Sequence, residues 1–473
     1  MRLDGPVFLF LFFPAVFCLH FLIPEKYGKA RNILLLAASL CFLCFGDPLA
    51  LLLLLFAAFC CWGSGMLMRT RIKFRGLCCA LGVTGCLVPM LVFRYADFFA
   101  EALNGIGGLS LTLPGMHLPL GIAFFTLQGI SYLADVCRGR AEAEKNYFRL
   151  LLWLSFFPQL ISGPIVRWRE FDSVIDTRKC TAEGVVRGMR RMICGLAKKL
   201  LLADTLGLAV SAAFSAGDTL SLPLAWLGAF CFLLQIFCDL SGYSDMAVGL
   251  GQIFGITLPE NFDHPYAAGS LGELWRRWQI TVSAWFRDYI YIPLGGSRKG
   301  AFRALLCKWL VWICAGLWYI PGWCGLIGGV FSGLLMTIET LAGSGKKRRR
   351  KRRKIHWYQH LYTWIAAALI FVLLRADDLA GALTYYRAMF TGVNLSMASF
   401  SAAVQLLTPM MLAAILCAIL LPSPAAEKIG QFFARKLPRF TQIAASLITL
   451  ALLIACILSA AGAVHPAGFF YRF

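Results

Sequence analysis

Charge is scarce in this sequence. Only 15% of its 473 residues are Asp, Glu, Lys or Arg, while 59% are hydrophobic. Soluble domains carry about 25% charged and about 45–50% apolar residues. A water-soluble core of this size would leave too little polar residue to cover its surface, so that class is excluded. Long polar stretches are missing too, which leaves no room for a soluble catalytic domain. Any chemistry belongs inside the helical body or at its mouth. Acidic residues are scarce even among the charges, 24 against 45 basic, a formal +21. No aromatic-interleaved basic domain stands outside the apolar runs, so a nucleic-acid partner is not expected. Neither a Walker loop nor a dinucleotide fingerprint occurs. Cysteine, by contrast, is plentiful at 18. The CxxC at Cys41 and Cys44 lies in an apolar run without a second CxxC, so no metal site is expected. The thiols read as small apolar fillers of helix interiors.

What is present is a series of long apolar runs. A spanning helix needs about 20 such residues. Stretches free of charge run 5–24, 48–68, 76–93, 102–134, 150–166, 219–238, 309–338, 355–374, 388–426 and 440–471, with weaker ones at 32–46, 205–217 and 246–259. The first has only Arg2 ahead of it and no small-residue cleavage site, so it reads as a retained span rather than a signal peptide. The expected fold class is an all-α polytopic membrane protein, with about 10–12 membrane helices plus re-entrant segments in one membrane-embedded domain. Along it lie N-terminal helices (1–118), a motif-rich core (119–343), a basic cytoplasmic loop (344–356) and C-terminal helices (357–473).

Basic residues fix the expected orientation. Arg69–Arg75, Arg138–Arg149, Arg167–Lys199, Arg298–Lys308, Lys346–Lys354 and Arg435–Arg439 should all face the cytoplasm. Two segments conflict with a simple crossing. Segment 150–166 has basic loops on both sides and contains Pro158, Gly163 and Pro164. Segment 309–338 is flanked the same way, is short for two crossings, and carries Pro321, Gly322 and Gly325. Both are expected to be re-entrant. Broken backbone at membrane depth is tolerated only where protein or a wet cavity satisfies it, which points to an internal funnel.

Residues 239–303 are chemically the richest. Asp239 and Asp245 lie on or beside an apolar helix, six apart and so on different faces, which excludes a paired-carboxylate device. Intramembrane acids suggest function, and neutralisation by a nearby Arg or by main-chain donors is the plainer alternative. Trp275-Arg276-Arg277-Trp278 and Trp285-Phe286-Arg287-Asp288-Tyr289 are either headgroup-level anchors or a grip on the phosphates of a cytoplasmic donor. The expected donor-side residues are therefore Asp239, Asp245, Arg276, Arg277, Trp278, Arg287 and Asp288.

These residues sit in longer motifs: PLGIAFFTLQGISYLADVCRGR (119–140), SFFPQLISGPIVRW (155–168), DLSGYSDMAVGLGQIFGITLPENF (239–262) and LWRRWQITVSAWFRDYIYIPLGGSRKG (274–300). With the N-terminal pattern they make the chain resemble the membrane-bound O-acyltransferases, in the bacterial branch typified by alginate O-acetylase and the D-alanine transferase of teichoic acids. The resemblance implies membrane helices around a central funnel. A cytoplasmic acyl donor, acetyl-CoA or an acyl carrier protein, meets the acceptor there, and no resident cofactor is bound. It also implies O-acylation of a cell-surface polymer, commonly O-acetylation, in the bacterial cytoplasmic membrane. Membrane lipid and an extracytoplasmic esterase-like protein are the expected partners.

The departures from that pattern concern catalysis. The family usually has His in the W-R-R-W-H motif, where Gln279 stands, and a second, thought catalytic, in G-L-W-H, where Tyr319 follows Gly316-Leu317-Trp318. A third falls at Ser332 before Gly333-Leu334-Leu335. Acyl transfer to a hydroxyl needs a base titrating near the working pH. Imidazole titrates at about 6.5, a phenol at about 10, and amides do not. Gln279, Tyr319 and Ser332 can donate hydrogen bonds but are poor acceptors of the alcohol's proton. Six histidines remain: His20, His117, His264, His356, His360 and His465. His264, inside NFDHPY, is the candidate substitute base. His356 and His360 share a helix face but lack a third ligand. The run Lys346–Lys354 reads as a topogenic loop, or as a contact for anionic lipid or a polyanionic donor. Three functions stay open: an acyltransferase with an unusual base, a non-catalytic scaffold or acyl-donor conduit, and a lipid-linked sugar transporter coupled through Asp239 and Asp245.

Overall fold

The computed structural model describes residues 1–107, 110, 117–344, 356–391, 397–420 and 423–462. The run Lys346–Lys354 and His465 lie outside them. Every regular element among the described residues is helical. The described residues gather into two compact units, one made by Met1–Met192 with Tyr243–Pro259, the other by Ile193–Gly242 with the described residues that follow Pro259.

The first unit begins with α1 (Phe13–Leu22), α2 (Gly28–Gly46), α3 (Pro48–Thr70), α4 (Arg75–Gly107) and α5 (Ile122–Cys137). Asp47 alone separates α2 from α3. Its side chain accepts from the Ala50 N–H at 3.1 Å, and Pro48 opens the helix, a cap with a pre-set first turn. The same carboxylate accepts from the Leu120 N–H at 2.9 Å, which fastens the entry to α5. Helices α3, α4 and α5 approach closely because small residues face one another. A Cβ on Gly129 would meet the Cys61 and Cys86 sulfurs, themselves 3.6 Å apart. All eighteen cysteines are free thiols, and several fill such interhelix space.

Next come α6 (Tyr147–Ser155), α7 (Phe157–Leu160), α8 (Trp168–Ile175) and most of α9 (Ala182–Ala197). Segment 150–166 is broken as expected. Its pieces are too short to cross a bilayer, and the whole segment is buried. Protein groups satisfy the irregular backbone: the Trp153 indole donates to Val166 O at 3.1 Å, and the Phe157 N–H donates to Ser39 Oγ at 3.1 Å.

The second unit holds α10 (Asp204–Phe214) and most of α11 (Leu222–Ile253). It continues with the short α12 (Leu271–Arg277) and α13 (Ile280–Phe286), then α14 (Ala301–Tyr319), α15 (Trp323–Ser344), α16 (Trp357–Arg375) and α17 (Leu379–Phe390). It closes with α18 (Met397–Leu406), α19 (Pro409–Leu420), α20 (Pro424–Lys436) and α21 (Pro438–Gly462). Among the described residues, eight helices are long and apolar enough to cross a membrane: α2, α3, α4, α11, α14, α15, α16 and α21. Within α18 and α19, Phe400–Leu406 and Pro409–Leu420 form a pair bent by 75° that would make a ninth. Two apolar helices, Phe8–Leu22 and Ile122–Cys137, are shorter.

Segment 309–338 differs from its expected re-entrant form. It belongs to α14 and α15, of 19 and 22 residues, joined by a turn at 320–322. The helices extend past the charged residues that bounded the apolar run, so each reaches spanning length. Gly325, expected to break the segment, lies inside α15. Together with Gly316 it lets the two backbones pack closely, since a Cβ on Gly316 would strike Gly325 O. Only Gly322, at φ +122°, uses a backbone conformation that favours glycine.

Candidate functional site

The site grows from a loop and two short helices in the second unit. Beyond α11, Asn261 organises the chain. Its carbonyl accepts from the Ile280 N–H at 2.8 Å, and its side-chain oxygen accepts from the Thr281 hydroxyl at 2.6 Å. Arg277 O accepts from the Asp263 N–H at 3.0 Å. These bonds tie the NFDHPY loop to the turn between α12 and α13. Gln279 makes that turn in the left-handed region, at φ +40°. The conformation costs about 1–2 kcal/mol for a residue with a Cβ, so the surrounding bonds must hold it there.

Helix α12 is fixed at its other end. Ser270 Oγ accepts from the Glu273 N–H at 3.2 Å. The Glu339 carboxylate, on α15, accepts from the Leu271 and Gly272 N–H groups at 2.7 and 3.1 Å. An anion at a helix N-terminus, with Arg276 and Arg277 in the last turn, complements the helix dipole at both ends.

Tyr319 is the last residue of α14, and its hydroxyl donates to Gln279 Oε1 at 2.7 Å. Tyr319 is 8% exposed and Gln279 4%. The Trp278 indole neighbours the same hydroxyl. Aromatic rings wall the pair: Trp318 lies 5.2 Å from Tyr319, and Trp275 and Phe371 lie 6.5 and 5.3 Å from Trp278. Two of the three singled-out positions therefore meet, forty residues apart in sequence. Ser332 is buried, and its hydroxyl donates to Gly328 O at 2.7 Å within its own helix.

Each described histidine engages another group. The His264 Nε2 pairs with Glu427 at 3.1 Å, and His264 itself sits at φ +44°. His20 is buried with Nε2 3.7 Å from Cys180 Sγ. His117 pairs with Asp47, the ring of His360 contacts Ala268 O, and His356 caps α16.

The expected donor-side residues fall in different surroundings. Trp278 is in the aromatic wall. Arg277 pairs with Glu273 at 2.6 Å, and Arg287 with its neighbour Asp288 at 2.7 Å. Arg276 and Arg287 are exposed. Asp239 and Asp245 each face a cation. Asp245 lies 2.9 Å from Arg191 in the first unit. In the second unit Asp239 lies 3.1 Å from Lys199, which is also 2.7 Å from Asp204. The Lys199 side chain is 2% exposed. It ends the basic stretch Arg167–Lys199 expected to face the cytoplasm, and it is buried within the π-helical turn Lys198–Ala203. Lys199, Asn261 and Glu339 were not singled out by the sequence. The signal for Lys199 was a charge at the edge of the apolar LLLA stretch.

The sequence pattern of the membrane-bound O-acyltransferase family matches residues 50–375, which contain Gln279, Tyr319 and Ser332. The chain belongs to the membrane-bound O-acyltransferase family. It is thus a multi-pass helical membrane protein. The chain is 35% identical over 404 residues to a probable alginate O-acetylase, AlgI, of Pseudomonas putida, covering 83% of this chain and 80% of that one. It is 30% identical over 428 residues to a peptidoglycan O-acetyltransferase of Helicobacter pylori, covering 83% and 80%. A teichoic acid D-alanyltransferase of Bacillus subtilis is 27% identical over 242 residues, 46% of this chain and 58% of that one. Within this family fold, the Gln279–Tyr319 pair forms a hydrogen-bonded contact in which the phenol is the donor and the amide oxygen the acceptor.

Proposed function

We propose that this protein serves O-acylation of a bacterial cell-surface polysaccharide or related polymer, from the cytoplasmic membrane, as a member that holds an acyl donor without supplying the base. The similarity to alginate and peptidoglycan O-acetylating proteins supports the polymer and the acetyl group. One observation carries the non-catalytic part. The Tyr319 hydroxyl donates to the Gln279 amide oxygen at 2.7 Å, at two positions where imidazole is expected. Neither takes a proton from an alcohol near neutral pH. A phenol and an amide can still hold a carbonyl oxygen of a thioester by hydrogen bonding.

In this reading acetyl-CoA or a charged carrier protein enters a funnel from the cytoplasm, past Arg276, Arg277 and Arg287. An esterase-like protein outside the membrane completes transfer to the polymer. The cations facing Asp239 and Asp245 fit the plainer reading of these acids as neutralised structural groups.

A second reading keeps catalysis through His264. The observation in its favour is the Glu427 carboxylate at 3.1 Å, which would orient an imidazole base. Reconstitution with labelled acetyl-CoA and a partner hydrolase separates the two. Transfer no greater than a lipid-only control is expected of the native chain. Tyr319→His with Gln279→His should then raise it, by up to about 10²–10⁴-fold for a restored base; Ser332→His tests the third position. Native transfer that disappears in His264→Gln would establish the second reading and sink the first.

A further inference from the structure

A cavity in the first unit, remote in sequence from the Gln279–Tyr319 pair, carries its own chemistry. Its volume is roughly 400 Å³, within the range of small-ligand sites. It lies where α3 ends, α4 begins and α5 ends. Arg69, Arg75 and Arg140 line it, together with Glu142, Met68 and the Gly139 turn. Three guanidinium groups therefore share one cavity with a single carboxylate. Among the described residues, none of the three arginines forms an ion pair, and neither does Glu142.

The backbone of the turn is already committed: the Gly139 and Arg140 N–H groups donate to Val136 O and Asp135 O. Arg75 is braced by its Nε, which donates to Met68 O at 3.1 Å and leaves the two terminal nitrogens to face a ligand. A ligand here would be held by side-chain forks, whose planar geometry matches phosphate oxygens.

The level of the cavity follows from connectivity. Helices α3 and α4 are consecutive candidate spans, so the turn joining them lies at a bilayer surface. Ile72 and Phe74, in that turn, are exposed beside Arg71 and Lys73. Apolar tips flanking converging arginines are what a phosphate attached to acyl chains requires.

We propose that the Arg69–Arg75–Arg140 cavity binds the phosphate of an anionic phospholipid headgroup. This assignment is independent of whether the protein catalyses acyl transfer. The test uses the full chain purified in detergent, with phosphatidylglycerol, phosphatidylcholine and inorganic phosphate added separately. Retained lipid is read by native mass spectrometry and stabilisation by thermal unfolding. Phosphatidylglycerol should bind and stabilise, and Arg69→Gln with Arg140→Gln should weaken it by about 30-fold for two surface guanidinium groups. Arg298→Gln with Lys299→Gln, at exposed positions elsewhere, should leave it unchanged. Both cavity arginines are exposed, so the lipid-free melting temperature should hold. If the double variant does not fold, the single substitutions carry the same comparison. Equal phosphatidylglycerol retention by the native chain and the cavity variants would overturn the proposal. Stabilisation by inorganic phosphate alone, lost in the same variants, would overturn the lipid source in favour of a soluble phosphate.

Discussion

Gln279 owes its backbone to its neighbours and its side chain to Tyr319. Removing the amide takes away the bond that the buried phenol makes to it, and such a bond is worth about 0.5–1.5 kcal/mol net. Gln279→Ala should therefore lower stability by about that amount. Gln279→Gly loses the same bond but relieves the φ of +40°, so it should be about 1 kcal/mol less damaging. Thermal unfolding of the two variants checks the order, and the reverse ranking would mean that the left-handed turn carries no strain. Lys199 is the other decisive residue. With Asp204 and Asp239 both against it, Lys199→Met strips the cation from a buried cluster. Breaking such clusters typically costs about 3–5 kcal/mol, and the same melting assay should record it. The three positions where the resemblance implies histidine, Gln279, Tyr319 and Ser332, could be named from the sequence at once, because identity is all that question needs. The sequence could not reveal that Gln279 and Tyr319 touch, since a separation of forty residues carries no distance information. Nor could it separate Lys199 from the solvated charges before it, because burial there depends on a π-helical turn.

Among the elements, α12 shows how a short helix is held without length. Seven residues form too few internal bonds for independent stability. Glu339 supplies what is missing by accepting from two N–H groups at the helix N-terminus. Glu339→Ala should cost about 2 kcal/mol, in line with hydrogen bonds to a charged group, and should loosen the Trp275–Trp278 wall. A drop in melting temperature with a red-shifted tryptophan emission would register both. Asp47 does comparable work between α2 and α3. Burial pushes its carboxyl up, but the Leu120 and Ala50 N–H groups and His117 together hold it below the usual carboxylate range. A depressed folded value stabilises fully above the ordinary Asp pKa of about 3.9. That contribution is lost as pH falls through the lower folded value. Asp47→Asn should therefore lower stability near neutrality, where the contribution is full, and flatten the acid limb, so that variant and native chain converge at low pH. The hairpin α14–α15 shows where span counting failed. Charges at 303, 308 and 339 bounded the apolar run, yet the helices continue through them, because a long side chain at a helix end can reach the interface.

For the whole molecule, composition and charge asymmetry lead to a membrane topology that is directly testable. Arg71 and Lys299 lie in loops expected on the cytoplasmic face, and both are exposed. Cysteines introduced there should react with a membrane-impermeant maleimide only after permeabilisation, above the background of the native thiols. Labelling of intact spheroplasts at either position would reverse the orientation. The amino-acid sequence by itself determined that the chain is helical and membrane-embedded, and which family it belongs to. Those properties depend on residue type and spacing along one dimension. Only the tertiary structure decided that Tyr319 bonds Gln279, that His264 turns to Glu427, and that three arginines from two separate turns share a cavity. Such meetings are set by how helices pack and where their ends fall, and each sums many weak contacts that no single stretch of sequence contains.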